Sequence, residues 1–207
     1  MTEPDRRTAV RIREARASEG DAVAGLVAAA FADLPLHHWL VPDPDGRASV
    51  FHRWFRLILD HALAHGSVEV TDDLSAAAAW LPGEAPPLLL SDTLLEWCCG
   101  PWWERFRAFQ QGLDRLSPPP GEHTRLELLA VRPARQGQGL GRMLMARRLA
   151  TAHARPIHLE APTQAAHRFY LRHGFTDNGT PLTIPGSGTR LFPLVSATAR
   201  APLTAEL

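Results

Sequence analysis

The sequence predicts a mixed α+β fold, in which helices cover both faces of a largely antiparallel sheet. Two observations predict it. Short apolar runs of strand length alternate with longer segments whose apolar residues recur every three or four positions. Near the middle of the chain, one such run leads directly into a glycine-rich turn and then a helix. No internal repeat is present, so we assign residues 10–195 to a single domain.

The two ends of the chain are predicted to lie outside this domain. We expect residues 1–9 to be a flexible N-terminus and residues 196–207 to be a tail. The N-terminus lacks the apolar core of a secretory signal, and no run of about 18 apolar residues is present to span a membrane. Cys98 and Cys99 are adjacent and form no useful crosslink, which fits a reducing compartment. We therefore expect a cytoplasmic protein.

The charge balance of the chain does not point to a nucleic acid or a membrane as partner. The 22 basic residues are all arginine, and 22 acidic residues bring the formal net charge to zero. This balance gives no indication of nucleic acid or of a membrane surface as partner. Scattered histidines and the lack of a C-x-x-C motif predict no metal site. A small-molecule partner is expected, and a homodimer is allowed.

The N-terminal part is predicted to fold as strand, helix, loop and helix. Val10 and Ile12 lie on the buried face of a first strand, and the first helix ends at Leu34-Pro35. Residues 41–46 are rich in proline and aspartate and are predicted to be a loop. The second helix ends near Gly66, and its apolar face carries Phe51, Trp54, Phe55, Ile58 and Ala62.

A hairpin and an aromatic-rich segment follow. Residues 68–70 and 76–81 are the two strands, joined at Asp72-Asp73. After a break at 83–87, residues 88–116 are mostly helical with an interruption at Gly100-Pro101. The aromatic residues of this segment either pack in the core or form the wall of an acceptor pocket.

The central stretch combines a strand, a glycine turn and a helix. The apolar run 126–131 ends before Pro133, and Gly137, Gly139 and Gly141 lead into the helix. The apolar face of that helix carries Gly141, Leu144, Met145, Leu149 and Ala152. A helix start leaves free N–H donors that favour an anion such as a pyrophosphate, although three glycines also suit a simple turn. The spacing matches neither a dinucleotide loop nor a Walker loop.

The C-terminal part is predicted to begin with a strand at 157–161 and a helix that opens at Pro162-Thr163. Ala166, Phe169 and Tyr170 share one face of this helix, which ends at Gly174. Residues 182–184 and 190–195 then form a last hairpin.

The glycine turn resembles the acyl-CoA loop Q/R-x-x-G-x-G/A of the GNAT superfamily of N-acyltransferases. Two further stretches resemble the same family, the N-terminal strand and helix and the segment from Leu159 to Phe175. Within it, the chain resembles the puromycin N-acetyltransferase branch through Ala30 to Asp33, Val70 to Asp73, Ala79-Trp80, Leu129 to Val131, Gln136 to Gly141, Leu159-Glu160 and Phe169-Tyr170. The resemblance implies a GNAT-type sheet and acetyl transfer from acetyl-CoA to an amine, without metal.

The resemblance also implies which residues bind acetyl-CoA. The backbone of residues 129–131 would pair with the pantetheine arm, and the glycine loop would hold the pyrophosphate. The implied set is Leu129, Ala130, Val131, Arg135, Gln136, Gly137, Gln138, Gly139, Leu140, Gly141 and Arg142. The main-chain N–H near Val131 would stabilise the oxyanion of the thioester carbonyl.

Four residues are the catalytic candidates. An attacking amine must lose a proton, and Glu127 and Glu160 are the candidate bases, with His123 third. Glu127 and Val131 have the same strand parity, so one face would hold both. Tyr170 matches the general acid of the family, which protonates the leaving thiolate. The alternatives are a structural or exposed role for Glu127 and a core-packing role for Tyr170.

The chain departs from the family at three positions. Ala166 and Pro162 stand where relatives commonly carry Asn and Ser or Thr, so a contact to the CoA arm is in question. Arg125 replaces an aromatic residue, which alters the acceptor site. The leading hypothesis is an N-acetyltransferase for the primary amine of a small molecule. A non-catalytic acyl-CoA sensor and a protein N-terminal or lysine acetyltransferase are the alternatives.

Overall fold

The computed structural model describes residues 10–151 and 155–196. The predicted N-terminus 1–9, Ala152 and the predicted tail beyond Ser196 therefore lie outside the described residues. The strands are β1 Ile12–Glu14, β2 Ser67–Thr71, β3 Ala76–Pro82, β4 Thr124–Val131, β5 Ile157–Ala161, β6 Phe175–Asp177, β7 Leu182–Thr183 and β8 Arg190–Ser196. The helices are α1 Gly20–Phe31, α2 Pro35–Leu40, α3 Pro44–His65, α4 Asp92–Cys99, α5 Trp103–Leu116, α6 Leu140–Thr151 and α7 Gln164–Leu171.

The strands form one mixed sheet in the order β1-β2-β3-β4-β5-β8-β6, with β7 paired to β8. Neighbours are antiparallel except β4 and β5, which run parallel. The parallel pairing joins Thr124 to Ile157 and Arg125 to His158 and extends no further along β4. From Leu126 onward, β4 diverges from β5 and leaves an opening in the middle of the sheet.

Helices cover both faces of the sheet, which confirms the predicted fold class. One face packs against α1 to α5, and its core contains alternate residues of β3, Ala77, Ala79 and Leu81. The other face packs against α6 and α7, and its core contains the intervening residues Ala76, Ala78 and Trp80. Because side chains of a strand alternate between the two faces of a sheet, the run of apolar residues in β3 serves both cores.

A buried carboxylate connects the sheet to α6, the helix that follows the glycine loop. Glu69 on β2 accepts a hydrogen bond from Trp80 Nε1 at 3.0 Å and one from Arg147 Nε at 2.9 Å. The guanidinium of Arg148 lies 5.1 Å from the centre of the Trp80 ring. A buried carboxylate with both oxygens paired fixes the helix in position, since loss of either partner would leave a buried charge unsatisfied.

The structure corrects the prediction between the first two long helices. Residues 41–46 were predicted to be a loop, but α3 already begins at Pro44. Asp43 is the N-cap residue, and its carboxylate accepts hydrogen bonds from the N–H groups of Asp45 and Gly46. The short helix α2 was not predicted, and it too begins with proline at its first position. Proline lacks an N–H but fits a first helical turn, so these prolines start helices.

The ends of the other strands and helices lie closer to their predicted positions. The first strand begins at Ile12. The hairpin of β2 and β3 and the last hairpin of β7 and β8 lie where predicted. A 3₁₀ turn at Gly100–Trp102 separates α4 from α5, at the predicted interruption. Across the described ranges, no helix combines the length and the apolar character needed to cross a membrane.

Candidate active site

The opening beside β4 presents main-chain groups that are not used by the sheet. Arg132 donates its N–H to the carbonyl of Ser75 at 2.8 Å, on the β3 side. Successive residues of a strand direct their main-chain groups to alternate sides, so the N–H groups of Leu129 and Val131 point into the opening. The Val131 carbonyl lies on the same side and accepts a hydrogen bond from Gln136 Nε2 at 3.1 Å. Ala130 directs its main chain toward β3, so it offers no main-chain group to the opening.

A β-bulge at Glu127 changes the direction of the side chains along β4. Leu126 pairs with Trp80 and Leu128 with Ala79, so Glu127 is the extra residue. Leu128 packs with the α1–α5 core, whereas Leu126 and Val131 pack with the α6–α7 core. The bulge interrupts the alternation between Glu127 and Val131, so strand parity alone does not determine whether the two side chains share a face.

The glycine loop has the backbone that only glycine adopts easily. Gly137 and Gly139 have φ angles of +76° and +82°, and a Cβ at either position would meet no atom within 4 Å. The first main-chain bond of α6 runs from Met143 N–H to the Gly139 carbonyl at 3.0 Å. The donors before Met143 are those a helix start leaves free, and they border a pocket of about 300 Å³. These features fit the pyrophosphate of a CoA ester.

Polar side chains of the loop brace it rather than extend from it. Arg135 forms an ion pair with Asp73 on the β2–β3 turn at 2.9 Å and donates to Gln138 Oε1 at 2.9 Å. Gln138 in turn donates to the Ala134 carbonyl at 3.3 Å. Arg142 is exposed at the start of α6. Of the predicted CoA-binding side chains, Arg135 and Gln138 thus hold the loop, whereas Arg142 is available for a phosphate.

A single cavity of about 1240 Å³ joins the glycine loop to the acceptor side of the fold. Its wall includes Gln136, Gly137 and Gly141 at one end and the α1–α3 region at the other. Glu127, Glu160, Tyr170 and His123 all line it, so the structure brings the four catalytic candidates into one cavity.

The two glutamates differ in their partners. Glu127 lies 2.5 Å from Arg125 Nη2, and 17% of its side chain is exposed. Burial raises the pKa of Glu127, and the guanidinium of Arg125 opposes this rise. Glu160 forms no ion pair or side-chain hydrogen bond with the residues that the structure describes. Burial, opposed by Arg125 and reinforced by the charge of Glu127, raises the pKa of Glu160 to about 7.

Tyr170 lies on α7 with its ring packed edge-on against Phe169 and Phe175, at 5.1 and 5.5 Å between centroids. Burial raises the pKa of its phenol, so the hydroxyl stays protonated at physiological pH. His123, the third candidate base, is buried at the start of β4, edge-on to His158 at 5.0 Å. Burial lowers the pKa of His123, which therefore remains neutral near pH 7.

Pro162 and Ala166, where the chain departs from the family, change the start of α7 and the cavity wall beside it. The Thr163 side chain accepts a hydrogen bond from the Ala166 N–H at 3.0 Å and caps the helix, directly after Pro162. Ala166 lines the cavity but offers no polar atom to it. The Phe169 ring approaches Gly141, where a Cβ would lie 3.8 Å from Phe169 Cζ. The cavity wall is therefore apolar where relatives commonly carry an asparagine amide. Phe169 is also part of this wall, although it was not among the site residues predicted from the sequence.

The aromatic-rich segment serves both of the roles that were considered for it. Phe106 is fully buried in the core. Phe109 lines the cavity, together with Leu88 and Leu90. Trp97 is 66% exposed and takes part in neither. The segment thus contributes both to the core and to the acceptor side of the cavity.

Comparison with known proteins supports this geometry. Residues 108–177, which include β4, the glycine loop and α7, match the model of an acetyltransferase (GNAT) domain. The chain has the GNAT fold. A structure of histone acetyltransferase HPA2 and related acetyltransferase from Corynebacterium glutamicum superposes with a TM-score of 0.71 at 20% identity, covering 94% of this chain and 99% of the other. No protein of curated function matches the sequence.

Other GNAT structures are also similar. The ribosomal-protein-S18-alanine N-acetyltransferase from Escherichia coli has a TM-score of 0.55 at 14% identity, covering 96% of this chain and 99% of the other. A provisionally assigned phosphinothricin N-acetyltransferase has a TM-score of 0.54 at 14% identity, covering 91% and 98%. At these identities the likeness shows the fold alone.

We predict that Gly139→Val weakens acetyl-CoA binding at least tenfold, equivalent to about 1.4 kcal/mol. The side chain would project into the pocket at a position whose φ of +82° already disfavours it. Gly188→Val is the matched control, because Gly188 also has a positive φ of +66° and open space but lies in the β7–β8 loop. Calorimetric titration should show reduced affinity in the first variant only. Equal affinity in a folded Gly139→Val protein would contradict the assignment.

Proposed function

We propose that this protein is an acetyl-CoA-dependent N-acetyltransferase that acts on the primary amine of a small molecule. The observation that carries the proposal is the single cavity in which the glycine loop, the open edge of β4 and the four catalytic candidates meet. The GNAT domain match and the GNAT fold support acetyl transfer as the chemistry. A cytoplasmic location and a homodimer remain predictions.

Acetyl-CoA would bind along the opening of the sheet. The N–H donors at the start of α6 and the exposed Arg142 suit its phosphates, and the N–H groups of Leu129 and Val131 suit its pantetheine amides and thioester. When bound, acetyl-CoA supplies an activated acetyl group. The Val131 N–H is suited to stabilise the negative charge that develops on the carbonyl oxygen during attack.

Glu160 is the better placed of the two candidate bases. A base for an ammonium substrate must be ionised near neutral pH and free to accept a proton, and a carboxyl with a pKa of about 7 meets both requirements. Glu127 is engaged by Arg125 at 2.5 Å. We assign Glu127 to the attraction of the substrate ammonium and to the electrostatic tuning of Glu160.

Tyr170 is suited to act on the leaving sulfur of the thioester. Its phenol remains protonated because it is buried, so it can donate a hydrogen bond as negative charge grows on the leaving sulfur. The amide bond forms as the thioester bond breaks. Of the two protons that the ammonium loses, one is taken up by Glu160, and the leaving thiolate gains one proton at the sulfur, where Tyr170 donates its hydrogen bond. The acid and the base are thus separate groups within one cavity.

Two alternatives keep specific support. A non-catalytic acyl-CoA sensor would explain why Ala166 offers no polar group to the CoA arm. Acetylation of a protein N-terminus is the activity named for the Escherichia coli structure. The cavity of this chain, however, is lined by deeply buried apolar residues such as Phe51 and Leu95, which suits a compact apolar acceptor better than a peptide.

The test of function is incubation with acetyl-CoA and a panel of amines. The panel contains arylalkylamines, linear polyamines, and peptides with a free N-terminal alanine or an internal lysine. We expect thiol release and an acetylated product, identified by mass spectrometry, with small-molecule amines only. Tight CoA binding without thiol release for any amine would favour the sensor, and turnover of peptides alone would favour the protein acetyltransferase.

The two glutamates should respond differently to removal of their charge. In the wild type, kcat/KM should rise with pH through about 7, because the base must be deprotonated. Glu160→Gln should abolish this rise and lower kcat/KM roughly 10²-fold at neutral pH. Glu127→Gln should retain the rise but shift it to lower pH, since the charge that raises the pKa of Glu160 is gone. The reverse pattern in a pH–rate series would identify Glu127 as the base.

Tyr170→Phe should lower kcat by roughly 10- to 10³-fold and leave acetyl-CoA affinity nearly unchanged. The ring contacts with Phe169 and Phe175 are kept, so the melting temperature should stay near that of wild type. Steady-state kinetics, calorimetry and thermal unfolding measure the three quantities. A variant that loses stability or CoA affinity while keeping its kcat would assign Tyr170 a packing role.

A further inference from the structure

A buried histidine lies in the wall of the cavity among aromatic rings. His37 on α2 is only 5% exposed, and it lines the cavity together with Phe31, Phe51 and Phe55. Its ring stacks on Phe51 with 3.9 Å between centroids and an interplanar angle of 18°. Phe31 meets it edge-on at 5.9 Å, and Phe55 lies at 5.7 Å. We call these four residues the aromatic box.

The imidazole of His37 has an unsatisfied polar atom. Nδ1 is buried and has no hydrogen-bond partner in the part of the chain that the structure describes. Burial lowers the pKa of His37 to about 3, although the main-chain carbonyl of Phe31 lies near enough to the ring to oppose this shift, so the ring is neutral at physiological pH. A buried polar atom without a partner costs stability, and aromatic packing alone would be served as well by phenylalanine. The position therefore suits a group that arrives with the ligand.

The surroundings determine which kind of group this is. Leu36 and Leu40 add further apolar walls beside the box, and both line the cavity. A charged group would be desolvated there next to a neutral ring, at high cost. A water molecule in the box would find the imidazole and the main-chain carbonyl of Phe31 as polar partners, whereas buried waters typically make about three hydrogen bonds. A hydroxyl group suits either tautomer of the imidazole, since it both donates and accepts.

We propose that the aromatic box binds the far end of the acceptor, and that the acceptor is a primary amine whose ring-bearing apolar part carries one uncharged hydrogen-bonding group, such as a phenol hydroxyl. The inference rests on the proposed function for the position of the amine, which the carboxylates of Glu127 and Glu160 would hold as an ammonium. The acceptor is thus cationic at one end and apolar at the other. Polyamines and other highly polar amines would leave the box empty and bind poorly.

The test compares two amines that differ by one hydroxyl group. Phenethylamine and its para- and meta-hydroxy derivatives are titrated calorimetrically into protein saturated with CoA, so that binding is measured without turnover. In the wild type, the better hydroxy derivative should bind about fivefold more tightly than phenethylamine, as expected for one buried neutral hydrogen bond. Spermidine should bind more weakly than any of the three.

His37→Phe keeps the stacking on Phe51 and removes both ring nitrogens. In this variant the hydroxy derivative and phenethylamine should bind with nearly equal affinity. The affinities for phenethylamine and for CoA should match those of the wild type. His38→Phe is the matched control, because His38 is the next residue of α2 and is exposed, and the wild-type preference should persist in it. A preference that survives in a folded His37→Phe protein, or the lack of any preference in the wild type, overturns the inference.

The outcomes separate this inference from the proposed function. Acetylation of polyamines or peptides, without binding of the phenethylamines, would reject the aromatic box as the acceptor site and leave the acetyltransferase assignment intact. Binding of the hydroxy derivative with a His37-dependent preference, but without thiol release, would support the box and reject the enzymatic function.

Discussion

The divergence of β4 from β5 is the constraint on which the site depends. Parallel pairing ends after Arg125, and the rest of β4 is held by β3 alone. A strand in the middle of a sheet normally has both sides of its main chain paired, so the N–H groups of Leu129 and Val131, which the sheet does not use, are available to a ligand with amide-like geometry. The bulge at Glu127 lies at the same point and turns the side chains of β4 as the opening begins. The cofactor groove and the position of the carboxylate therefore share one structural origin.

The parts of the site that are local in sequence could be predicted from it. The glycine loop needs a positive φ at positions 137 and 139. Both residues are glycine, so the sequence itself indicates the turn. Tyr170 could be placed on a helix that follows the short apolar strand at 157–161, and its role in the site was implied by the resemblance to the GNAT superfamily. The ion pair of Arg125 and Glu127 also had a signal, since residues two apart on a strand share a face, although the sequence alone did not lead us to it.

The parts that depend on tertiary contacts could not be predicted. The bulge at Glu127 arises from pairing with β3, so strand parity read from the sequence could not be relied on across this point of β4. Helix α2 is six residues long, too short for an apolar period to be recognised, and its first proline was taken as a stop. The aromatic box joins α1, α2 and α3, and its histidine looked like one of ten scattered residues until those helices were packed together.

The charges of the site carry a cost in stability that the substrate is suited to relieve. The pKa of Glu160 is raised from 4.5 to about 7, so the folded chain binds more protons than the unfolded chain between these values. The free energy of unfolding therefore falls as pH rises through this window, and the penalty is complete above about pH 7. This is the pH range in which Glu160 is competent as a base. An ammonium substrate brings the missing positive charge, because Arg125 is already engaged by Glu127. Binding of the amine therefore places a positive charge beside the buried Glu160 carboxylate before that carboxylate accepts a proton. Acceptor binding and catalysis are thus linked through Glu160.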